Sequence, residues 1–398
     1  MAEQYKPLFN RNYLKVVLVI CVLAVIWLSS MNGGQEWSAG RLEHSPFYWL
    51  EHDAELRRLD ILLPTGSAIS DAEQDRQQWR RQILGKRLQP LLAPPLQYQL
   101  QSADDHLLLT LAWPAAAEAP DLPGLLDALR QPVDPLLWQA ELARVQAKRY
   151  LNQQQPDQQL LAEFRNRLGE TGTLPLQWQQ LFQSPKLIVS GPDAERQAGQ
   201  LAATLQPQWK EWNEQFGSQS NRSLPSLSGQ HRSSLNADRH LLLLAGPLPA
   251  RHADDYLLQR LAAETARLAL ARQQPVTGSE YRLLWKSLTD GGYRALLIFS
   301  SAPIEAGDLQ RVSGQIDGEL VQQARQQLQA RWQQALLDEQ QQLNTLSLLA
   351  LYNLPLDSLQ QAPDRLTELD DRQVIDAARG LFALEPQFSL RINPVQTD

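Results

Sequence analysis

Residues Tyr281–Ser300 read YRLLWKSLTDGGYRALLIFS, two apolar runs separated by Thr289-Asp290-Gly291-Gly292. Glycine tolerates the positive φ that a tight reversal needs, so the stretch reads as an antiparallel hairpin of strands Tyr281–Ser287 and Tyr293–Ser300. Working outward, an apolar strand at His240–Ala245 and a helical stretch over Asp254–Gln273 precede it. Long helices over Glu305–Asn353, a helix at Arg372–Phe382 and a last strand at Gln387–Ile392 follow. The same order occurs upstream. A strand at Leu59–Leu63 leads to a helix around Asp71–Leu88, then to strands at Leu96–Gln101 and His106–Trp113 about the turn Ala103-Asp104-Asp105. Helices over Leu122–Arg130, Pro135–Asn152 and Gln158–Leu168 come next, and a strand at Lys186–Ser190 runs into a helix at Asp193–Leu205. Strand, helix, hairpin, helices, strand thus appears twice, which predicts a duplicated α+β unit.

The stretch Asn213–Asp238 is rich in Ser, Asn, Gln and Gly and lacks helical periodicity, so it reads as a linker, 213–238, between units at 45–212 and 239–398. Glutamine-laden Val321–Tyr352 has apolar residues at 3–4 spacing, interrupted around Glu339. Without sustained heptads it reads as amphipathic helix packed on a sheet rather than as a coiled coil.

Of the 398 residues, 43% are apolar, enough for two or three cores. A formal charge of −7 argues against a nucleic-acid partner, which requires basic patches. The single cysteine, Cys21, excludes a disulfide framework and a thiolate zinc cluster. Cys21 lies within Val16–Leu28, an unbroken apolar run, and no charge follows until Glu36. Twenty helical residues rising about 1.5 Å each span a hydrocarbon layer, so 16–35 is expected to be a transmembrane signal anchor. Lys6, Arg11 and Lys15 in the tail 1–15 place that tail in the cytoplasm and the bulk of the chain across the membrane. A cleaved signal peptide is the alternative, although Ser29-Ser30-Met31-Asn32 fits a cleavage site poorly.

Several segments together resemble the pitrilysin/insulinase-type zinc metallopeptidase family. In the second half these are Gly278-Ser279-Glu280-Tyr281 with its hairpin, Leu351-Tyr352-Asn353-Leu354-Pro355, Leu369–Val374, Ala377-Ala378-Arg379 and the strand Ser389–Pro394. In the first half they are Leu62–Ser67 and Lys186–Gly191 with the helix after it. The resemblance implies a fold of repeated α+β units forming a clam-like chamber. It also implies an H-x-x-E-H zinc motif on the helix after the opening strand, with two histidines on one helical face and a glutamate activating water. The corresponding helix here reads Asp71-Ala72-Glu73-Gln74-Asp75-Arg76-Gln77-Gln78-Trp79-Arg80-Arg81, without histidine, and its arginines would repel a dication. The third ligand, a glutamate, would fall near Val145–Tyr150, VQAKRY, which has none. Tyr48-Trp49-Leu50-Glu51-His52 matches only the last two motif positions and precedes the opening strand; His44 lies upstream. A degenerate member is therefore expected, with no catalytic or metal-ligating residue and no cofactor.

In the family's zinc-free unit an arginine and a tyrosine reach toward the substrate. The resemblance carries this substrate-binding role to Tyr281 and, less directly, to Arg272, because the family spacing lands on Gln274. The alternative for Tyr281 is a hairpin ring packed on the neighbouring helix. The implied function is a membrane-anchored, periplasm-facing, non-catalytic protein of a bacterial inner membrane. It would be the zinc-free partner of a separate catalytic metallopeptidase with an intact H-x-x-E-H. A stand-alone envelope scaffold or peptide-binding protein is the second reading, and a hydrolase with unfamiliar ligands the third.

Overall fold

The computed structural model describes residues 38–92, 94–172, 174–182, 185–214, 224–235, 237–277, 279–289, 291–385 and 387–394. The expected cytoplasmic tail and membrane anchor lie outside the described residues, as do Gly278, Asp290 and part of the expected linker. No helix among the described residues is long and apolar enough to cross a membrane.

The chain is α+β, built on two mixed sheets packed with helices. The first sheet has six strands: β1 (Ala39–Arg41), β2 (Phe47–Glu51), β3 (Leu56–Pro64), β4 (Gln97–Ser102), β5 (His106–Pro114) and β6 (Lys186–Gly191), ordered β1-β2-β6-β3-β5-β4. The second has β7 (Gly229–Arg232), β8 (His240–Leu248), β9 (Glu280–Leu288), β10 (Gly291–Ser300) and β11 (Phe388–Ile392), ordered β7-β11-β8-β10-β9. Strand for strand, β2-β6-β3-β5-β4 repeats as β7-β11-β8-β10-β9. In each of these five-strand sets the first pair is parallel and the rest antiparallel. Both hairpins form as the sequence predicts. At the second, Gly292 is obligatory: a Cβ there would sit 1.8 Å from the Lys286 carbonyl oxygen, while Gly291 adopts φ +117°.

The helices follow the same duplication. The first half carries α1 (Asp71–Leu88), α2 (Leu122–Arg130), α3 (Pro135–Asn152), α4 (Pro156–Leu168) and α5 (Ala194–Glu214). The second carries α6 (Tyr256–Thr277), α7 (Ala306–Ser313), α8 (Gly318–Ala335), α9 (Glu339–Leu351), α10 (Ser358–Thr367) and α11 (Asp371–Gly380). The glutamine-rich stretch therefore forms two helices, not one. The helix breaks before Asp338, whose carboxylate caps α9 by accepting from the Gln341 amide, and α9 lies across the first sheet. Strand β7 lies inside the stretch that reads as linker, and α10 has no counterpart among the expected elements.

Alternate residues of each strand face opposite ways, and the central strands of both sheets are buried on both faces. On the first sheet, Leu59, Ile61, Leu63, Leu107, Leu109 and Leu111 join α1, α2 and α5 in one core. On the second, Leu242, Leu244, Leu296 and Ile298 do the same with α6, α8 and α11. The remaining two faces are covered by exchange. Helix α4 of the first half sets Leu160, Leu161, Phe164 and Leu168 against Leu241, Leu243, Leu297 and Leu390 of the second sheet. Its counterpart α9 lies across β2, β3 and β6 of the first. Polar links accompany the exchange: Tyr352 donates to Asp105 at 2.7 Å, Lys286 to Asp104 at 2.6 Å and Ser233 to Glu163 at 2.8 Å.

Phe164 is 1% exposed, with ring centroids 5.4 Å from Tyr293 and 5.5 Å from Phe388. Truncating a buried phenylalanine costs about 3–5 kcal/mol. Phe164→Ala should lower stability by that order in urea denaturation, whereas Leu136→Ala on the exposed face of α3 should leave it within about 0.5 kcal/mol.

Candidate functional site

The helix that would carry a zinc motif begins at a capping box. Ser70 Oγ accepts from the Glu73 amide at 3.3 Å, and Glu73 Oε2 accepts from the amides of Ser70 at 2.8 Å and Ile69 at 2.9 Å. Glu73 is thus committed to ending the helix. Asp71 and Asp75, four residues apart, stack on the face of α1 that packs against α3.

A single arginine from α3 joins them. Arg149 donates from Nε to Asp75 Oδ1 at 2.8 Å and from Nη2 to Asp75 Oδ2 at 2.9 Å, a bidentate pair, and from Nη1 to Asp71 Oδ2 at 3.2 Å. Asp71 also accepts from Arg165 at 3.0 Å, Gln153 at 3.1 Å and Asn166 at 3.3 Å. The hydrogen bonds that Arg149 donates to Asp75 hold the Arg149 pKa above its usual value. Burial pushes the Asp75 carboxyl above the usual carboxylate range too, and the neighbouring Asp71 charge adds to that; the Arg149 pairing only partly offsets it. Beside this cluster lies a cavity of about 480 Å³, lined on its α1 side by Gln74, Gln78 and Arg81 and opposite by Lys148, Asn152 and Gln158.

The α1 arginines are placed differently: Arg81 lines the cavity, whereas Arg80 is buried and donates to the Leu176 carbonyl at 3.0 Å, its pKa lowered by burial to about 9. The cation at the centre is Arg149, from the Val145–Tyr150 window where the family's third ligand would fall. Asp71, Asp75 and Arg149 were not singled out in the sequence, although acids at i and i+4 and an arginine in that window were there to be read.

The remaining candidates are dispersed. Arg272 is exposed on α6 and donates to Gln323 on α8 at 3.2 Å. Tyr281, on β9, is half-buried and packs against the core beneath α6. His52 approaches Glu339 at 3.3 Å, and His106 pairs with Asp105 at 2.8 Å. Among the described residues, no three His, Cys, Asp or Glu side chains are grouped so as to hold a metal ion.

The equivalent helix pair of the second half, α6 and α8, carries its own buried acid. Glu264 accepts from Arg267 and Arg331, each at 2.6 Å. Burial works to raise its carboxyl, but the two guanidinium groups outweigh this and hold it below the usual range.

Removing Arg149 leaves two acids facing each other, largely shielded from water. Because the guanidinium is partly solvated, Arg149→Met should cost about 2 kcal/mol at pH 7, less than a fully buried pair. Urea denaturation should show the loss reversed in Asp71→Asn/Asp75→Asn/Arg149→Met, which removes the charges together. For Glu264 the folded pKa lies below the unfolded 4.5. Its stabilisation is therefore complete above about pH 4.5 and fades as the pH falls toward the folded pKa. Stability curves of wild type and Glu264→Gln should be separated above pH 5 and draw together as the pH falls below 4.5.

No protein-family model matches the chain, and no curated protein matches it in sequence. Its fold does match known structures. The inactive domain of an M16 peptidase from Pseudomonas fluorescens superimposes with a TM-score of 0.65 at 14% identity, covering 90% of this chain and 98% of that one. Pitrilysin matches with a TM-score of 0.59 at 13% identity, over 89% of this chain and 43% of pitrilysin. A chain of complex III2 from Candida albicans matches with a TM-score of 0.56 at 11% identity, over 86% and 93%. The fold carrying the Asp71–Arg149–Asp75 cluster is therefore that of the M16, pitrilysin-type peptidases.

Proposed function

We propose that this protein is a non-catalytic, pitrilysin-like subunit, anchored in a bacterial inner membrane by residues 16–35 and facing the periplasm, where it forms one wall of a chamber completed by a separate catalytic metallopeptidase. The observation that carries this reading is the Asp71–Arg149–Asp75 bridge. In the motif H-x-x-E-H, ligands stand at i and i+4 with the water-activating glutamate at i+3. Here those places hold Asp71, Asp75 and Gln74, and the third-ligand window supplies Arg149. A guanidinium occupies the centre that a metal would need, and an amide stands where a base would be required, so α1 keeps its packing while metal-assisted hydrolysis has no ligand set. That a protein of this fold exists as an inactive domain, and another as part of a multisubunit complex, supports the reading.

A second reading has its own observation. The cavity beside Arg149 is lined by the amide groups of Gln74, Gln78, Gln153 and Gln158, which suit an extended peptide backbone, together with Arg81 and Lys148. A scaffold or peptide-binding protein would use the fold in that way.

Affinity purification of the full-length protein from its own membrane in mild detergent, followed by mass spectrometry, separates the two. Stoichiometric recovery of a protein with an intact H-x-x-E-H is the expected result. Recovery of other envelope proteins alone, or of no partner, overturns the subunit role.

A further inference from the structure

The helix pair that frames the Asp71–Arg149–Asp75 cavity occurs again in the second half, and there the concavity is of a different kind. Between the start of α6, the end of α8, α9 and α10 lies a cavity of about 470 Å³, a size that takes one or two amino-acid side chains. Its body is apolar, formed by Leu257, Trp332, Leu349, Leu354 and Pro355. Its charged lining is biased toward cations in a chain that carries an excess of acids. Arg251 and Arg365 face one acid, Asp254. Arg251 is stacked 4.7 Å over the Tyr352 ring and reaches the Ser287 carbonyl through Nε at 3.4 Å, which fixes its position. Arg365 is exposed at the edge and makes no ion pair among the described residues.

We infer that this cavity binds the C-terminal residue of a peptide, with an apolar side chain in the Trp332–Leu349 body and the free carboxylate on Arg365. An apolar pocket supplies burial but no orientation; a guanidinium at its edge supplies a bidentate carboxylate contact that fixes one end. Asn353, Gln361 and Thr345 also line the cavity. Asn353 Oδ1 already accepts from Lys186 at 2.7 Å and Gln361 Nε2 donates to Asp357, so the Asn353 amide N–H groups and the Gln361 carbonyl are the groups turned to the amides of a peptide. The inference is independent of the identity of any catalytic partner.

The test is calorimetric titration of the full chain in mild detergent with N-acetyl-leucyl-phenylalanine, with its C-terminal amide and with decanoate. The free acid should bind, the amide about ten-fold more weakly for loss of one charge-assisted contact, and decanoate not measurably. Arg365→Gln, at an exposed position and with an unchanged melting transition, should abolish the difference between acid and amide. Ala335→Trp, which fills the cavity from the half-buried end of α8, should abolish binding of both peptides. Absence of binding by the free acid, equal affinity for acid and amide, tighter binding of decanoate, or an acid–amide difference that survives Arg365→Gln would each overturn the proposal.

Discussion

Each sheet of this protein leaves one face that its own half cannot cover, and the exchange of α4 and α9 closes both. The strands make the constraint. Leu241 to Ala245 is five consecutive buried apolar residues, and on β3 Leu62 is as buried as its neighbours Ile61 and Leu63. A strand apolar on both faces is stable only between two layers. The second layer is supplied crosswise: Phe164 of the first half is wedged between Tyr293 and Phe388 of the second, while the Leu346 side of α9 meets the first sheet. The polar links at Asp104, Asp105 and Glu163 follow from that contact, because it brings the turn of the first hairpin against the second hairpin and Tyr352.

With α4 and α9 exchanged between the halves, α1 covers the other face of the first sheet and packs outward against α3. At the interface between them, a metal and a guanidinium solve the same electrostatic problem differently. Acids on one helical face need a cation, and a bound ion meets that need only when loaded. Arg149 meets it covalently, with planar donor geometry that engages Asp75 bidentately and still reaches Asp71. The cost is that the centre is filled. A guanidinium does not lower the pKa of a bound water as a Lewis acid does.

The duplication was legible because it is written in hairpins and apolar runs. Thr289 to Gly292 and Ala103 to Asp105 mark reversals by local turn chemistry, and the strands around them repeat in order. Strand β7 escaped because Gly229-Gln230-His231-Arg232 is polar and pairs along one edge with β11, so no alternation betrays it. Strand β2 carried a clear apolar run, Phe47 to Leu50, but its Glu51-His52 ending drew attention as a motif fragment. The crosswise roles of α4 and α9 were not readable, because helical periodicity says that a face is buried and not against which sheet. The site was missed for a chemical reason. A search for ligands by residue type registers Asp71, Asp75 and Arg149 as absences, whereas a search for complementary charge at ligand spacing finds them.

Reading charge instead of ligand type also explains why the two related helix pairs have diverged in opposite senses. In the first half, Arg149 and Arg165 are spent on Asp71 and Asp75, which leaves amides together with Arg81 and Lys148 as the polar groups beside that cluster. In the second, the buried acid Glu264 lies two turns into α6 and is neutralised there by Arg267 and Arg331. The outer end of that helix pair keeps apolar side chains beside Arg251 and Arg365. An ion pair closed within the protein stabilises packing but offers little to a ligand, because a new partner must displace one already desolvated. A cation left at the edge of an apolar recess is available at lower cost. Duplication thus leaves one fold with two different concavities, one built beside a closed ion-pair cluster and the other apolar with Arg365 at its edge.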